Sequence, residues 1–377
     1  MTEIKSKQVH RGKKVLLFAN DTTYIYNLRD QLLVRLIDDG YEVVVVAQPL
    51  LYQDEIRALG CKLIGLEFNR HGTNPLMDLK MLWQVFHIII LEKPSCVLTY
   101  NIKPNVYGGL VCRMTNTYYL PNITGLGMVI EKSGILLKLA TRLYKMGIAG
   151  AHSVFFQNEE NQEFFLKNGM LRRNCKTILI PGSGVNLKRH CPLDYPTEKT
   201  MQFLFVARVM QAKGIDLYLE VAKRINAAHE DAVFHICGYC DDPRYLNLLH
   251  QECPYIVYHG EQKDMVPFYR MAHCIVHPSY YHEGMSNVLL EAAAHCRPVI
   301  TTDCAGCRET VDDGTSGYIV ANKDVNSLYR AVHRFMHLSW EQRMTMGVAG
   351  RRKMEVEFDR KIVVEKYIKA IGECLEK

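Results

Sequence analysis

Two glutamates, Glu283 and Glu291, stand eight positions apart in the stretch HPSYYHEGMSNVLLEAAAH (277–295), and a basic pair, Arg208 and Lys213, lies upstream. Paired carboxylates suit acid-base chemistry, and they equally suit holding hydroxyl groups at the two ends of a ligand. A helix read from Asn287 to His295, N-capped by Ser286, puts Glu283 in the preceding loop and Glu291 in the second turn. Between them the backbone amides of Gly284, Met285 and Ser286 are expected to be free for an anion, and Asn287 opens a helix whose dipole favours one. A carboxylate beside a phosphate repels it, so each glutamate is expected to accept from hydroxyls flanking a diphosphate. A nucleotide-sugar has that shape, with sugar hydroxyls at Glu283, diphosphate over the helix start and ribose hydroxyls at Glu291. The planar fork of Arg208 and the point charge of Lys213 would stabilise the diphosphate as a leaving group. The chain has no Asp-x-Asp at a strand end through which a metal would be held, so no metal is expected.

Positioning these residues requires parallel strands. VLLFAN (15–20), a helical pattern from Asn27 to Asp39 and YEVVVVA (41–47) make a strand-helix-strand unit, continued by CKLIGLEF (61–68), a helix over 75–91, SCVLTY (95–100), a run near Tyr118, SVFFQN (153–158) and KTILIPG (176–182). After the proline-rich, charged HCPLDYPTEKTM (190–201) a second series runs through QFLFVA (202–207), AVFHICG (232–238), YIVYHG (255–260), CIVHPS (274–279) and RPVITTD (297–303). Continuous Val/Ile/Leu runs alternating with amphipathic helices predict buried parallel sheets. The fold class is therefore α/β, two doubly wound Rossmann-like domains facing across a cleft, with the boundary expected at 192/193 and a last helix (358–377) packing back on the first.

The 377 residues are 48% hydrophobic, which suits two globular domains. Up to His190 there are 24 Lys and Arg against 15 Asp and Glu, and beyond it 22 against 25, so the first half is basic and the second slightly acidic. A basic half can meet nucleic acid, an anionic membrane surface or a phosphorylated acceptor. Nothing resembles an arginine-rich arm or a recognition helix, which argues against nucleic acid. The polar residues 1–14 lead straight into a strand, which predicts a cytoplasmic protein with its thirteen cysteines reduced. Two CxxC pairs, CGYC (237–240) and CAGC (304–307), lie too far apart for a zinc ribbon, although both follow strands and could meet in space. Gly238 and Gly306 are the members expected to matter, as small residues that let a ligand approach the backbone.

Glu283 to Glu291 as E-x7-E, Arg208, Lys213 and the later Gly306-Cys-Arg-Glu309 together resemble the retaining glycosyltransferases with two Rossmann-like domains (the GT-B, family 4-like enzymes) over nearly the whole chain. The resemblance implies Glu283 by the donor sugar, Glu291 on the ribose, Arg208 and Lys213 on the diphosphate, and Glu309 in the donor loop. It implies a UDP-sugar substrate and no cofactor. The glycine-rich loop that such enzymes carry after the first strand is replaced by ANDTTYIYNLRD (19–30), and LPNITGLGMVIEKSG (120–134) lacks their histidine.

YIYNLR (24–29), NIKPNVYGG (101–109) and ITGLG (123–127) further resemble bacterial enzymes that extend polyprenyl-diphosphate-linked saccharides. On that resemblance Arg29, Lys103 and Asn105 would suit an acceptor diphosphate, and Thr124, Gly125 and Gly127 a tight turn beside the reacting centre; Lys103-Pro104 also reads as an ordinary exposed turn. The resemblance leans toward UDP-Gal or UDP-GalNAc and a lipid-linked acceptor. The helix 132–152 sets Lys132, Lys138, Arg142 and Lys145 against Ile135, Leu136, Leu139 and Leu143. That pattern fits either an anionic membrane surface on the inner face of the cytoplasmic membrane or a core helix. Two other classes share the architecture, a UDP-sugar epimerase and a non-catalytic nucleotide-sugar-binding module.

Overall fold

A computed structural model of the chain describes residues 12–67, 75–125, 135–228, 231–250 and 253–376. The chain forms two compact units, residues 1–184 with 360–377 and residues 185–359. Val185 donates its amide to the Phe358 carbonyl at 2.8 Å and bridges to Asp359, so 185–192 belong to the second unit. The expected boundary at 192/193 therefore falls inside that unit.

Among the described residues the first unit holds seven parallel strands, β1 (Lys14–Asp21), β2 (Glu42–Gln48), β3 (Lys62–Gly65), β4 (Cys96–Tyr100), β5 (Tyr118–Ile123), β6 (Ser153–Phe156) and β7 (Lys176–Leu179), in the order β3-β2-β1-β4-β5-β6-β7. Period-two alternation sorts β2: Val43 and Val45 join one buried cluster, Val44 and Val46 the other. α1 (Thr22–Asp38) and α2 (Gln53–Ala58) cover the first face together with the C-terminal helix Arg360–Leu375, which supplies Val363, Val364, Tyr367 and Ile371. α3 (Pro75–Glu92), the short α4 (Gly109–Met114), α5 (Ile135–Ile148) and α6 (Glu159–Lys167) cover the second.

α1 begins at Thr22, earlier than the expected Asn27, because Asp21 at the end of β1 caps it by accepting from the Tyr24 amide at 2.7 Å. What reads as a glycine-free loop at 19–30 is thus mostly helix. α5 is held close by glycines: a Cβ on Gly109 would lie 1.9 Å from the Gly147 carbonyl oxygen. Among its described side chains Tyr144 and Ile148 are buried, while Leu139 and Leu143 of the expected core face are exposed. Lys132 and the side chains of Ile135 and Leu136 lie outside the described residues.

Among the described residues the second unit holds six parallel strands, β8 (Met201–Val206), β9 (Ala232–Cys237), β10 (Ile256–Gly260), β11 (Cys274–His277), β12 (Val299–Thr302) and β13 (Gly317–Val320), in the order β10-β9-β8-β11-β12-β13. Its helices are α7 (Ile215–Ala228), α8 (Pro243–Leu249), α9 (Val266–Met271), α10 (Asn287–Ala294), α11 (Val325–Met336) and α12 (Trp340–Glu357). Asp324 caps α11, and Ser339 with Gln342 forms a capping box on α12.

Buried histidines cluster at one edge of this unit. His235 Nε2 meets Gln202 Oε1 at 2.6 Å and its Nδ1 meets His259 Nε2 at 2.9 Å, while His273 Nδ1 accepts from the Gln202 amide at 3.1 Å. Burial pushes His235 and His273 each down to about 4. Their folded pKa values thus lie below the unfolded value of about 6.5, so the unfolded chain binds more protons below that pH and stability falls as pH drops from about 6.5 towards 4. Urea titrations at pH 7 and pH 5 are expected to show a loss of on the order of 1–3 kcal/mol, part of it abolished in the His235→Gln, His273→Gln double variant, the rest falling to buried His277, pushed down to about 3. Equal midpoints at both pH values in the wild type would refute this.

Candidate functional site

In an open parallel sheet a crevice forms beyond the carboxyl ends of the strands where the strand order reverses. In the second unit that point lies between β8 and β11. Arg208 and Lys213 follow β8, and Pro278 to Ser286 follow β11, so two sequence-distant segments converge there. Gly214 makes the approach possible: its φ is 79°, and a Cβ would lie 2.1 Å from the Pro278 carbonyl oxygen. The Tyr280 amide donates to the Ala212 carbonyl at 3.0 Å, fixing one loop on the other.

Across this junction Lys213 Nζ pairs with Glu283 Oε1 and lies 4.9 Å from the centre of the Tyr281 ring. Burial, reinforced by the Arg208 guanidinium, pulls the Lys213 ammonium down to about 8, with the nearby Cys307 and Cys304 thiols opposing that pull. Arg208 itself is exposed and makes no ion pair among the described residues. The site thus combines an unpaired guanidinium, a partly buried ammonium and a carboxylate at one strand switch point. It can hold an anion at the cations and hydroxyl groups at the carboxylate.

Several expected roles change in the folded chain. The Ser286 amide is not free, since it donates to the Gly306 carbonyl at 2.7 Å. Ser286 does sit at the N-cap of α10 but makes no side-chain capping bond; its hydroxyl lies 3.4 Å from His277 Nε2. The Met285 side chain is buried in an apolar cluster with Val185, Leu290 and Phe358, leaving only backbone to face a ligand. Glu309 folds back to accept from the Gly306 amide at 2.8 Å and so braces its own loop. Gly306, at φ 84°, lets that loop lie against 283–284: a Cβ there would be 3.0 Å from the Gly284 carbonyl oxygen. Gly238 is required by protein rather than by ligand, because a Cβ would lie 1.8 Å from the Ala207 carbonyl oxygen.

Glu291 lies in the second turn of α10 as its spacing predicts, and its Oε2 accepts from the buried Tyr269 hydroxyl at 3.2 Å. At the start of the same helix Asn287 Oδ1 is buried without a hydrogen-bond partner among the described residues. Tyr269 and Tyr281 escape a reading of the sequence; only the closeness of Tyr281 to Glu283 could have suggested the latter. The thiols of Cys237, Cys240, Cys304 and Cys307 are buried and not joined in disulfides, and no three His, Cys, Asp or Glu side chains among the described residues gather to hold a metal ion.

Two of the acceptor-side residues are not available to a ligand. Arg29 is buried, donating to the Leu28 carbonyl at 2.7 Å and the Tyr24 hydroxyl at 3.1 Å, with its guanidinium 4.5 Å from the centre of the Tyr100 ring. Asn105 is buried too, its amide donating to the Asn122 carbonyl at 2.9 Å and its oxygen accepting from Thr99 at 2.6 Å. Lys103 is partly exposed and paired with Asp78 at 2.9 Å. Thr124 and Gly125 (φ 128°) follow β5, and Gly127 lies outside the described residues. At the switch point of this unit, between β1 and β4, stands instead Asn101, at φ 72°, whose Oδ1 accepts from the Asn20 amide at 3.3 Å. Asn tolerates the left-handed region, which is the one trace this position leaves in the sequence.

Comparison with known proteins fits both halves. The family Glycosyl transferases group 1 matches residues 200–337 and the family Glycosyl transferase 4-like matches residues 14–158. The chain is 26% identical over 364 residues to the N,N'-diacetylbacillosaminyl-diphospho-undecaprenol alpha-1,3-N-acetylgalactosaminyltransferase of Campylobacter jejuni, covering 92% of this chain and 94% of that protein. It is 24% identical over 305 residues to the capsular polysaccharide biosynthesis glycosyltransferase CapM of Staphylococcus aureus, covering 76% and 79%. Among solved structures, sucrose-phosphate synthase from Thermosynechococcus elongatus superposes with a TM-score of 0.79 at 19% identity, covering 97% of this chain and 99% of the other. Anabaena HepE in complex with UDP and glucose superposes with a TM-score of 0.77 at 13% identity, covering 96% and 100%. With two parallel-sheet units, each topped by the loops described above, the chain belongs to the family 4-like glycosyltransferases of the GT-B fold.

Proposed function

We propose that this glycosyltransferase is a metal-independent, retaining enzyme that moves a hexose or N-acetylhexosamine from a UDP-sugar, UDP-GalNAc or UDP-Gal first among them, to a polyprenyl-diphosphate-linked saccharide. The observation that carries the reading is the convergence of Arg208, Lys213 and Glu283 at the switch point of the second unit. The similarity to the Campylobacter enzyme, whose name specifies an N-acetylgalactosaminyl transfer to a diphospho-undecaprenol saccharide, supports the choice of sugar and acceptor. A lipid-linked acceptor in turn favours a protein working peripherally on the inner face of the cytoplasmic membrane. No helix among the described residues is long and apolar enough to cross a membrane.

In the proposed reaction the bond between the anomeric carbon and the diphosphate oxygen breaks as UDP leaves. The acceptor hydroxyl oxygen attacks the anomeric carbon from the face that UDP vacates, which retains configuration, and its proton passes to a donor phosphate oxygen. Arg208 and Lys213 carry the developing charge of the departing diphosphate, and Glu283 accepts from the sugar hydroxyls. Glu291, steadied by Tyr269, accepts from the ribose.

Transfer from radiolabelled UDP-sugars to lipid-linked saccharide tests the reading, with calorimetry for UDP binding alongside. Glu291→Ala is expected to weaken UDP binding by about 1–3 kcal/mol, and Glu283→Ala chiefly to lower kcat, because only the latter contacts the reacting sugar. Unchanged affinity and rate in both variants would remove the assignment. Turnover of a UDP-sugar to its epimer without acceptor would favour an epimerase instead, and UDP-sugar binding with no turnover at all would favour a binding module.

A further inference from the structure

A helix packed on one side of a sheet normally shows charge to water on its outer face. The C-terminal helix follows that rule with exposed Lys361, Glu365 and Lys369. On the opposite face of the same sheet, α3 does not. Its inner positions Met81, Val85 and Ile89 are buried against β1, β2, β4 and α4, yet its outer face carries Leu76 at 78% exposure, Leu79 at 62%, Trp83 at 61% and Ile90 at 46%. These positions recur at helical spacing, so they form one apolar stripe pointing away from the core.

α5 carries a shorter stripe of the same kind, exposed Leu139, Leu143 and Met146, beside exposed Lys138, Arg142 and Lys145. Both helices lie in one layer, since α3 packs against α4 through Met81 and Val85 with Val111 and Cys112, and α5 packs on the same segment through Gly147. The outer faces are also one-sided in charge. α5 has no carboxylate, and those of α3 are neutralised: Asp78 pairs with Lys103 at 2.9 Å, and the buried Glu92 with Lys14 at 2.9 Å and Lys62 at 2.5 Å. Lys80 is exposed beside the α3 stripe.

From this we infer that α3 and α5 form a two-helix footing for an anionic lipid bilayer, with Leu76, Leu79, Trp83 and Ile90 seated at the boundary between headgroups and acyl chains and the cations of α5 over the lipid phosphates. Apolar side chains and an interfacial tryptophan flanked by cations match that environment, where a protein partner of this surface would need carboxylates facing Lys138, Arg142 and Lys145. The inference rests on the proposed lipid-linked acceptor and extends it: the element that enters the bilayer interface is α3, with the basic helix α5 beside it. Residues spaced as in α3 look from sequence like an ordinary two-sided core helix. Only the packing shows that half of them face outwards.

The two tryptophans, Trp83 and Trp340, make the test direct, because Trp340 lies in the other unit with its indole donating to the Pro196 carbonyl at 2.8 Å. In a Trp340→Phe background, vesicles of phosphatidylcholine with phosphatidylglycerol are expected to shift Trp83 emission to the blue. The Leu79→Gln, Trp83→Gln double variant, made in the otherwise unaltered protein, should partition about tenfold or more less onto those vesicles in cosedimentation, with UDP affinity as the control for folding. Unshifted Trp83 emission, or a double variant that partitions like the wild type, overturns the footing. So does a wild type that sediments as a dimer, fails to bind vesicles and becomes a monomer in the double variant, which would give this surface to a second copy of the chain. A water-soluble short-prenyl diphosphate saccharide reports separately on the acceptor: no transfer to it or to lipid-linked saccharide, with vesicle binding intact, would sink the substrate reading and leave the footing standing.

Discussion

Lys213→Ala is expected to lower kcat by on the order of 10²–10³ while leaving the fold intact. Lys213 lies where β8 and β11 diverge, within contact of Glu283 and near Arg208, so its ammonium is aimed where a departing diphosphate would gather charge. A partly buried cation stabilises that charge more than a hydrated one does, because little water competes for it. Arg208→Ala should act in the same direction but with a smaller loss, since its guanidinium is exposed. The combined variant should fall short of the product of the two losses, as groups acting on one leaving group do. If this pair neutralises the diphosphate, wild-type turnover also persists in EDTA. Rates measured at saturating UDP-sugar decide it: a Lys213→Ala enzyme within a fewfold of wild type, or inactivation by chelator reversed only by a divalent ion, would contradict the mechanism.

Replacing Lys138, Arg142 and Lys145 together by Gln is expected to reduce partitioning onto anionic vesicles by roughly two orders of magnitude at low salt, at about 1 kcal/mol for each cation near the surface. All three are exposed on α5 beside Leu139, Leu143 and Met146, so their loss should not disturb the core built on Tyr144 and Ile148. The difference between wild type and variant should shrink as salt screens the surface. UDP affinity should be untouched, because the residues assigned to the donor belong to the other compact unit. Equal partitioning of wild type and triple variant would show that these cations face something other than lipid.

The sequence by itself determined the two α/β series, nearly every strand and the places where charged residues follow strands, because these depend on local periodicity and on residues close together in the chain. The places of Glu283, Glu291, Arg208 and Lys213 in the fold were legible for that reason: each stands at a fixed distance from a strand end or a helix start. The start of α1 was missed by five residues because one side-chain cap, Asp21 to the Tyr24 amide, outweighs the weak pattern around it.

Only the tertiary structure decided which of the polar residues face outwards. A helical pattern places Arg29 on α1, but Tyr24, Tyr100 and Tyr367 from three elements close over it. Asn105 reads as a residue suited to an acceptor diphosphate until Thr99 and Asn122 from neighbouring strands take up its hydrogen bonds. Likewise the Ser286 amide is claimed by the Gly306 carbonyl, a contact that exists only once β11 and β12 lie side by side. The Lys213 to Glu283 pair spans 70 residues and depends on the close approach that Gly214 permits. Conversely the outer stripe of α3 is apolar in the sequence on both sides, and which side meets the sheet was settled by the shape of β1, β2 and β4 beneath it. Periodicity fixes the angle between side chains on one element, whereas exposure depends on what other elements cover, and that information is distributed over residues far apart in the chain.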